Sequence, residues 1–153
     1  MIAKTLRNHL EERGVRYRTI AHSPAFTAQG AAHRAHIHGR QFAKTVVVFI
    51  DGNPAMMVLP ADQRIGVQNL RTLAGTEDIR LAHEDEFRSH FPDCELGALP
   101  PFGNLYDMPT YAAPELAKCE EIIFNAGNHA ELVRMRWSDY EEDVQPRIAA
   151  FTA

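Results

Sequence analysis

The chain has only two cysteines, Cys94 and Cys119, in 153 residues, and they show no Cys-x-x-Cys spacing. One isolated pair makes neither a disulfide framework nor a thiol redox motif, so reduced free thiols are expected. Long apolar runs are missing as well, since no segment approaches the roughly 20 apolar residues that a membrane-spanning helix needs. The opening residues, MIAKTLRNHLEERG, carry charges in every turn and lack the apolar stretch of a signal peptide. The expected compartment is therefore the cytoplasm, with no membrane partner. Basic excess is also lacking: a formal net charge of −4 and a pI near 6.0 do not give the footprint that drives binding to bulk DNA or RNA. A few Lys or Arg at a cleft mouth can still hold the end of a nucleic acid without altering the overall sign.

What is present is the composition of a soluble globular protein, 45% hydrophobic and 24% charged, at a length that suits one domain over residues 1–153. Ile2, Leu6 and Leu10 recur at helical spacing, and Gly14 stops that helix. Val15, Tyr17 and Thr19 alternate with Arg16 and Arg18 as a half-exposed strand before the loop at His22-Ser23-Pro24. Thr27 is placed to cap a second helix running to Gly39. Phe42 to Ile50, closed by Asp51-Gly52-Asn53 and followed by Ala55 to Leu59, reads as a central hairpin. Helices are expected from Val67 to Leu73, ended by Gly75, and from His83 to His90, stopped by Pro92. Glu121 to Asn125 and His129 to Met135 form a second strand pair around Ala126-Gly127-Asn128, and Ser138 is placed to cap a final helical turn or two. Strands and helices mix without regular β-α-β alternation. The expectation is an α+β fold: a single compact domain with a mixed, largely antiparallel central sheet flanked by helices.

Lys44 is the most informative polar residue. It shares strand parity with Phe42, Val46, Val48 and Ile50, while Ala43, Val47 and Phe49 occupy the other parity, so neither face of this strand reads as a solvent face. An ammonium there must be paired, snorkel out at the strand end, or line a cleft; an edge lysine whose stem covers apolar surface satisfies the same pattern. Between Gly97 and Gly103 the chain reads Gly-Ala-Leu-Pro-Pro-Phe-Gly. Its adjacent prolines forbid regular helix and supply no N–H, so this is a shaped loop whose remaining backbone groups suit a ligand, or a rigid surface turn. His129, two residues after Gly127, is a candidate proton donor or acceptor near neutral pH, or a satisfied polar residue. His33, His36 and His38 form a His-x-x-His-x-His run, but three histidines around one turn converge poorly on one metal ion. Neither cysteine has the surroundings of a nucleophile.

Four segments occur in one order: Phe42-Ala43-Lys44-Thr45-Val46-Val47-Val48, Leu59-Pro60-Ala61-Asp62-Gln63-Arg64-Ile65, Gly97-Ala98-Leu99-Pro100-Pro101-Phe102-Gly103, and Phe124-Asn125-Ala126-Gly127-Asn128-His129. Together, from the first helix to about Met135, they resemble the YbaK/prolyl-tRNA-synthetase-associated editing domain family. That resemblance implies hydrolysis of the ester joining a wrong amino acid to tRNA, with the range Ala, Ser, Thr or Cys. Lys44 then matches the family's active-site lysine, Gly97 the first glycine of its Gly-x-x-x-Pro-type substrate loop, and His129 the histidine of its Gly-x-His segment. Ala98, Leu99, Pro100, Pro101, Phe102, Gly103 and Gly127 would line the substrate. The resemblance implies no metal, no other cofactor and no covalent enzyme nucleophile. It implies the acceptor end of a mischarged tRNA as partner, with an aminoacyl-tRNA synthetase as a second. Two readings of other classes stay open at this stage: a non-catalytic module that binds a tRNA 3′ end, a nucleotide or a synthetase, and a zinc hydrolase built on the His33-His36-His38 run.

Overall fold

The computed structural model describes residues 3–21 and 41–153. The expected helix from Thr27 to Gly39, the His22-Ser23-Pro24 loop and the histidines at 33, 36 and 38 lie outside those residues. Helix α1 (Lys4–Arg13) buries Leu6 and Leu10 and ends where Gly14 adopts the left-handed conformation expected of a C-cap. Strand β1 (Tyr17–Ala21) begins two residues later than the alternation suggests. The hairpin of β2 (Phe42–Ile50) and β3 (Asn53–Pro60) forms as expected, turning through Asp51 and Gly52, both at positive φ. Next come α2 (Val67–Ala74), β4 (Ile79–Leu81), and a short α3 (Glu84–Phe87) that tightens into a 3₁₀ turn through His90.

After the Gly97–Gly103 segment the chain adds β5 (Thr110–Ala112), α4 (Pro114–Ala117), β6 (Glu121–Asn125), β7 (Glu131–Arg136), α5 (Trp137–Val144) and β8 (Arg147–Ile148). Two expectations are corrected here. His129 lies in the turn before β7 rather than in the strand, because Asn128 Oδ1 accepts from the Ala130 and Glu131 N–H groups and holds the chain in a side-chain-bonded turn. Arg136, not Ser138, is the residue preceding α5, since the helix starts directly from the end of β7.

The eight strands form one sheet in the order β1-β7-β6-β2-β3-β5-β8, with β4 attached to β2. Pairings β1–β7, β6–β7, β2–β3 and β2–β4 are antiparallel, and β2–β6, β3–β5 and β5–β8 are parallel, so the sheet is mixed and largely antiparallel. Both of its faces are covered. On one, Leu6 and Leu10 of α1, Trp137 and Tyr140 of α5, and Phe102 pack over Ala43, Val47, Phe124 and Val133. On the other, Leu70 of α2, Ala113 and Phe151 pack over Val48, Met57 and Leu59. That double burial explains why β2 and β3 read as continuous apolar runs. Phe124 sits at the centre of the first layer, fully buried with its ring edge-on to Phe102 at 5.5 Å. Phe124→Ala is expected to cost about 3–5 kcal/mol through lost burial and a residual cavity. Urea unfolding checks this; a midpoint unchanged from wild type contradicts it.

Candidate active site

Strand β2 pairs with β3 along one edge for eight residues, but its other edge is shared. Strand β6 takes Phe42 and Ala43, and β4 takes Val48 to Ile50, with Ala82 N–H donating to Val47 O at 3.0 Å. Among the described residues, Lys44, Thr45 and Val46 have no ladder partner on that side. The sheet forks there, and Lys44 stands one residue past the Ala43–Phe124 pair, beside Asn125 at the end of β6.

Lys44 is half-buried, and its Nζ donates one long hydrogen bond, 3.4 Å, to Ala61 O. No ion pair among the described residues includes it. Burial pushes its pKa below the ordinary lysine value, the Arg64 guanidinium adds to this, and the Asp62 carboxylate works against it. Two further polar atoms are buried at the fork without a hydrogen-bond partner: Thr45 Oγ1, next in sequence, and Asn125 Oδ1, in a residue only 5% exposed. Alternation puts Lys44 on the face shared with Leu59 and Asn125, and Thr45 on the face of Ala43 and Val47. The ammonium, hydroxyl and amide oxygen thus flank the fork from both sides.

The Gly97–Gly103 segment is pinned rather than free. Gly127 N–H donates to Ala98 O at 3.0 Å, and Glu95 N–H donates to Gly127 O at 2.7 Å. Gly127 needs φ +96, and a Cβ there would meet Ala3 Cβ at 2.6 Å, so only glycine fits this zipper. Further along, Tyr140 Oη donates to Pro101 O at 2.6 Å from a fully buried position. The Phe102 ring packs against Phe124 and Tyr140. Asn104 Nδ2 donates to Asp143 Oδ1, the same carboxylate that His9 grips through Nε2 at 2.8 Å to both oxygens. Leu99 and Phe102 therefore spend their side chains in the core, and what they can offer a ligand is backbone. The N–H groups of Ala98, Phe102 and Gly103 are already bonded, to Glu95 O, Pro100 O and Thr110 Oγ1. Those of Gly97 and Leu99 are not bonded within the described residues, although Leu99 is only 5% exposed.

His129 is 6% exposed, and its Nε2 lies 2.6 Å from Leu96 O. A carbonyl only accepts, so Nε2 carries the proton, and a neutral ring presents its lone pair at Nδ1. The ring lines a cavity of about 520 Å³ with Arg88, Phe91, Pro92, Cys94, Glu95 and Leu96. Burial pushes the Cys94 thiol up to about 12, which keeps it protonated and removes it as a nucleophile at neutral pH. Burial also raises the Cys119 thiol.

Of the residues singled out from sequence, the structure joins the Gly97 loop, Gly127 and His129 into one bonded unit at the end of β6. Lys44 arrives at the same strand end on β2, two residues across from Gly127, but its hydrogen bond runs to Ala61 and it does not line the His129 cavity. Sequence reasoning does not single out Thr45 or Asn125. In a run of strand formers both look like ordinary strand residues, and only their unpaired buried oxygens mark them.

A family model for the aminoacyl-tRNA editing domain matches residues 22–142. A curated Escherichia coli (strain K12) protein, the multifunctional Ser/Thr-tRNA deacylase ProXp-y, is 27% identical over 147 residues, covering 93% of this chain and 87% of that one. Among solved structures, the hypothetical protein APE2540 superposes with a TM-score of 0.86 at 19% identity, covering 98% of this chain and 100% of the other. A candidate trans-editing enzyme for prolyl-tRNA synthetase superposes with a TM-score of 0.80 at 20% identity, covering 99% and 96%.

Two outcomes follow from this geometry. Tyr140→Phe leaves the Pro101 carbonyl buried and unpaired, which is expected to cost about 1–3 kcal/mol and to speed amide exchange in the 97–104 segment; unchanged exchange contradicts the clamp. Lys44, followed by its ε-methylene NMR signal, is expected to titrate below the ordinary lysine value. The folded chain then binds that proton less tightly than the unfolded one, so stability gains from Lys44 as pH rises through the interval between the two pKa values. A titration at or above the ordinary value contradicts the burial of its charge.

Proposed function

The chain belongs to the aminoacyl-tRNA editing domain family, and from that premise we propose that it hydrolyses the ester of mischarged aminoacyl-tRNA, acting in trans as a single domain over residues 1–153 in the cytoplasm. The amino acid removed is small, within the range Ala, Ser, Thr and Cys; the Escherichia coli relative, named a Ser/Thr-tRNA deacylase, supports Ser and Thr within it. Its partner is the acceptor end of the tRNA, with an aminoacyl-tRNA synthetase as a second.

The observation that carries this reading is the pair of N–H donors at Gly97 and Leu99 that are uncommitted among the described residues, on a pinned loop beside the end of β6 where Lys44 emerges. In ester hydrolysis, water attacks the acyl carbon and the carbonyl oxygen takes up negative charge. The bond from that carbon to the ribose oxygen then breaks, the ribose oxygen takes the proton released by the water, and free amino acid and tRNA leave. Fixed N–H donors and an ammonium suit the oxyanion step, and one such donor is worth about 10²–10³ in rate. Lys44 holds the terminal phosphate or polarises the ester, the Gly97–Gly103 backbone fixes the terminal ribose, and His129, locked by Leu96 O, shapes the amino-acid side of the site. Positioning of a water, or of the ribose hydroxyl assisting it, supplies the attacking group without a side-chain nucleophile.

The test is a deacylation panel of tRNAs charged with Ala, Ser, Thr, Cys and Pro. Wild type is expected to hydrolyse one or two mischarged species, and Lys44→Ala to lose about 10²-fold or more in kcat/KM. A Lys44→Ala protein with wild-type turnover removes Lys44 from the chemistry; wild-type binding with no turnover on any species leaves a binding module.

A further inference from the structure

The face of the sheet that carries Lys44 also carries four arginines. Arg18 of β1 and Arg134 of β7 are direct cross-strand partners, and the same register sets Arg16 opposite Arg136. Like charges placed directly opposite each other destabilise a strand pair. Compensation among the described residues is small: Glu121 pairs with Arg136 across the ladder and comes within 4.0 Å of Arg134 Nε, and Asp139 lines the same groove. Arg16, Arg18 and Arg136 are exposed, while Arg134 is half-buried with its Nε lacking a hydrogen-bond partner. These arginines open onto a groove of about 640 Å³ at the β1–β7 edge, which Tyr17, Met135 and Asp139 of α5 line from the other face. It holds four guanidinium groups against two carboxylates, on a chain of net charge −4. Such a concentration of one sign against the overall balance is the footprint of a polyanion site.

Register ties this groove to the site. Ile20, Leu132 and Asn125 form one row across β1, β7 and β6, and Lys44 stands next in that row on β2. Arg18 and Arg134 occupy the neighbouring row on the same face, and Arg16 and Arg136 the row after it. With strands about 4.8 Å apart and two residues rising about 6.8 Å, the arginines lie about 12–20 Å from Lys44. At a rise of roughly 3.4 Å per stacked nucleotide, that reaches about four to six nucleotides in from a 3′ terminus held at Lys44.

We propose that the Arg16, Arg18, Arg134 and Arg136 face of β1 and β7 holds the sugar-phosphate backbone of the tRNA acceptor stem, behind the aminoacylated end at Lys44. The proposal rests on the deacylase reading for the identity of its ligand. It accounts for how a chain of net negative charge grips tRNA: the contact is local, electrostatic and independent of base sequence.

The test measures binding of uncharged tRNA, and separately of the trinucleotide CCA, by fluorescence anisotropy over a series of salt concentrations. The double variant Arg18→Gln/Arg134→Gln is expected to weaken tRNA binding about ten-fold or more and to reduce the slope of log affinity against log salt by about two. Its affinity for CCA, which is too short to reach the arginines, is expected to change less than about two-fold by the same charge-contact reasoning. Lys4→Gln removes one positive charge from α1, on the opposite face of the sheet, and is expected to leave tRNA binding and its salt slope at the wild-type level. Should the first variant melt below wild type, Arg16→Gln/Arg136→Gln, at two exposed positions, replaces it. Wild-type tRNA affinity in the arginine variants, an equal loss in Lys4→Gln, or an equal loss for CCA each overturns the proposal. Uncharged tRNA carries no ester, so a chain that binds through the groove and hydrolyses nothing sinks the deacylase reading and leaves the groove standing.

Discussion

Strand β2 is buried on both faces and has to pass one edge from β6 to β4. That handover is the constraint on which the site depends. A strand fully paired on both edges has no backbone groups left to offer a ligand near its middle, and an edge strand this apolar would invite aggregation. By sharing the edge, the fold keeps β2 central and still opens the stretch Lys44–Val46. The ammonium emerges at the opening because it is the first β2 residue beyond the β6 ladder, and it stays half-solvated there, which limits the desolvation that a lysine in the middle of β2 would suffer.

The second requirement is that the loop opposite the opening does not move. Prolines alone stiffen a path but do not fix its position. Position comes from three separate anchors: the Gly127 backbone zipper at one end, the Tyr140 hydroxyl on Pro101 O in the middle, and the Asn104–Asp143–His9 chain at the other end. Tyr140 and Asp143 both belong to α5, His9 belongs to α1 and Gly127 follows β6, so α1, α5 and the end of β6 must all be packed before the loop takes its shape. Asp143 has a nearly fully buried side chain, and its charge is held by His9 and flanked by Arg13 at 3.7 Å. A buried carboxylate is stable only when so partnered, which makes this corner as much a product of the fold as a support for the loop.

Much of this was legible in the sequence, for identifiable reasons. The β2–β3 hairpin announces itself through Asp51-Gly52 and two long apolar runs, and α1 and α2 through their spacing and the glycines at 14 and 75. Lys44 is visible because a charge breaks a doubly apolar strand. The short strands β4, β5 and β8 are not legible, because three residues or fewer carry no periodicity and exist only by pairing with β2, β3 and β5. For the same reason the fork cannot be foreseen: it follows from where β4 begins on β2, a tertiary fact. That Thr45 Oγ1 and Asn125 Oδ1 lack partners is hidden likewise, since being unpaired is a property of neighbours. The four arginines read as the polar side of ordinary strands until the register brings β1 beside β7.

Those unpaired groups bear on how the site works. A buried polar atom without a partner costs about 1–3 kcal/mol, so Thr45 Oγ1 and Asn125 Oδ1 together cost several kcal/mol, a large share of the net stability of a domain this size. The like-charged Arg18–Arg134 pair adds to the same side. Two apolar layers, rather than one, offset this cost. A chain that only needed to fold would gain by replacing these groups with apolar ones of the same shape. Held in place by core packing, they are already ordered, and in the proposed deacylase site the hydrogen bonds left unmade in folding are those a ligand would complete.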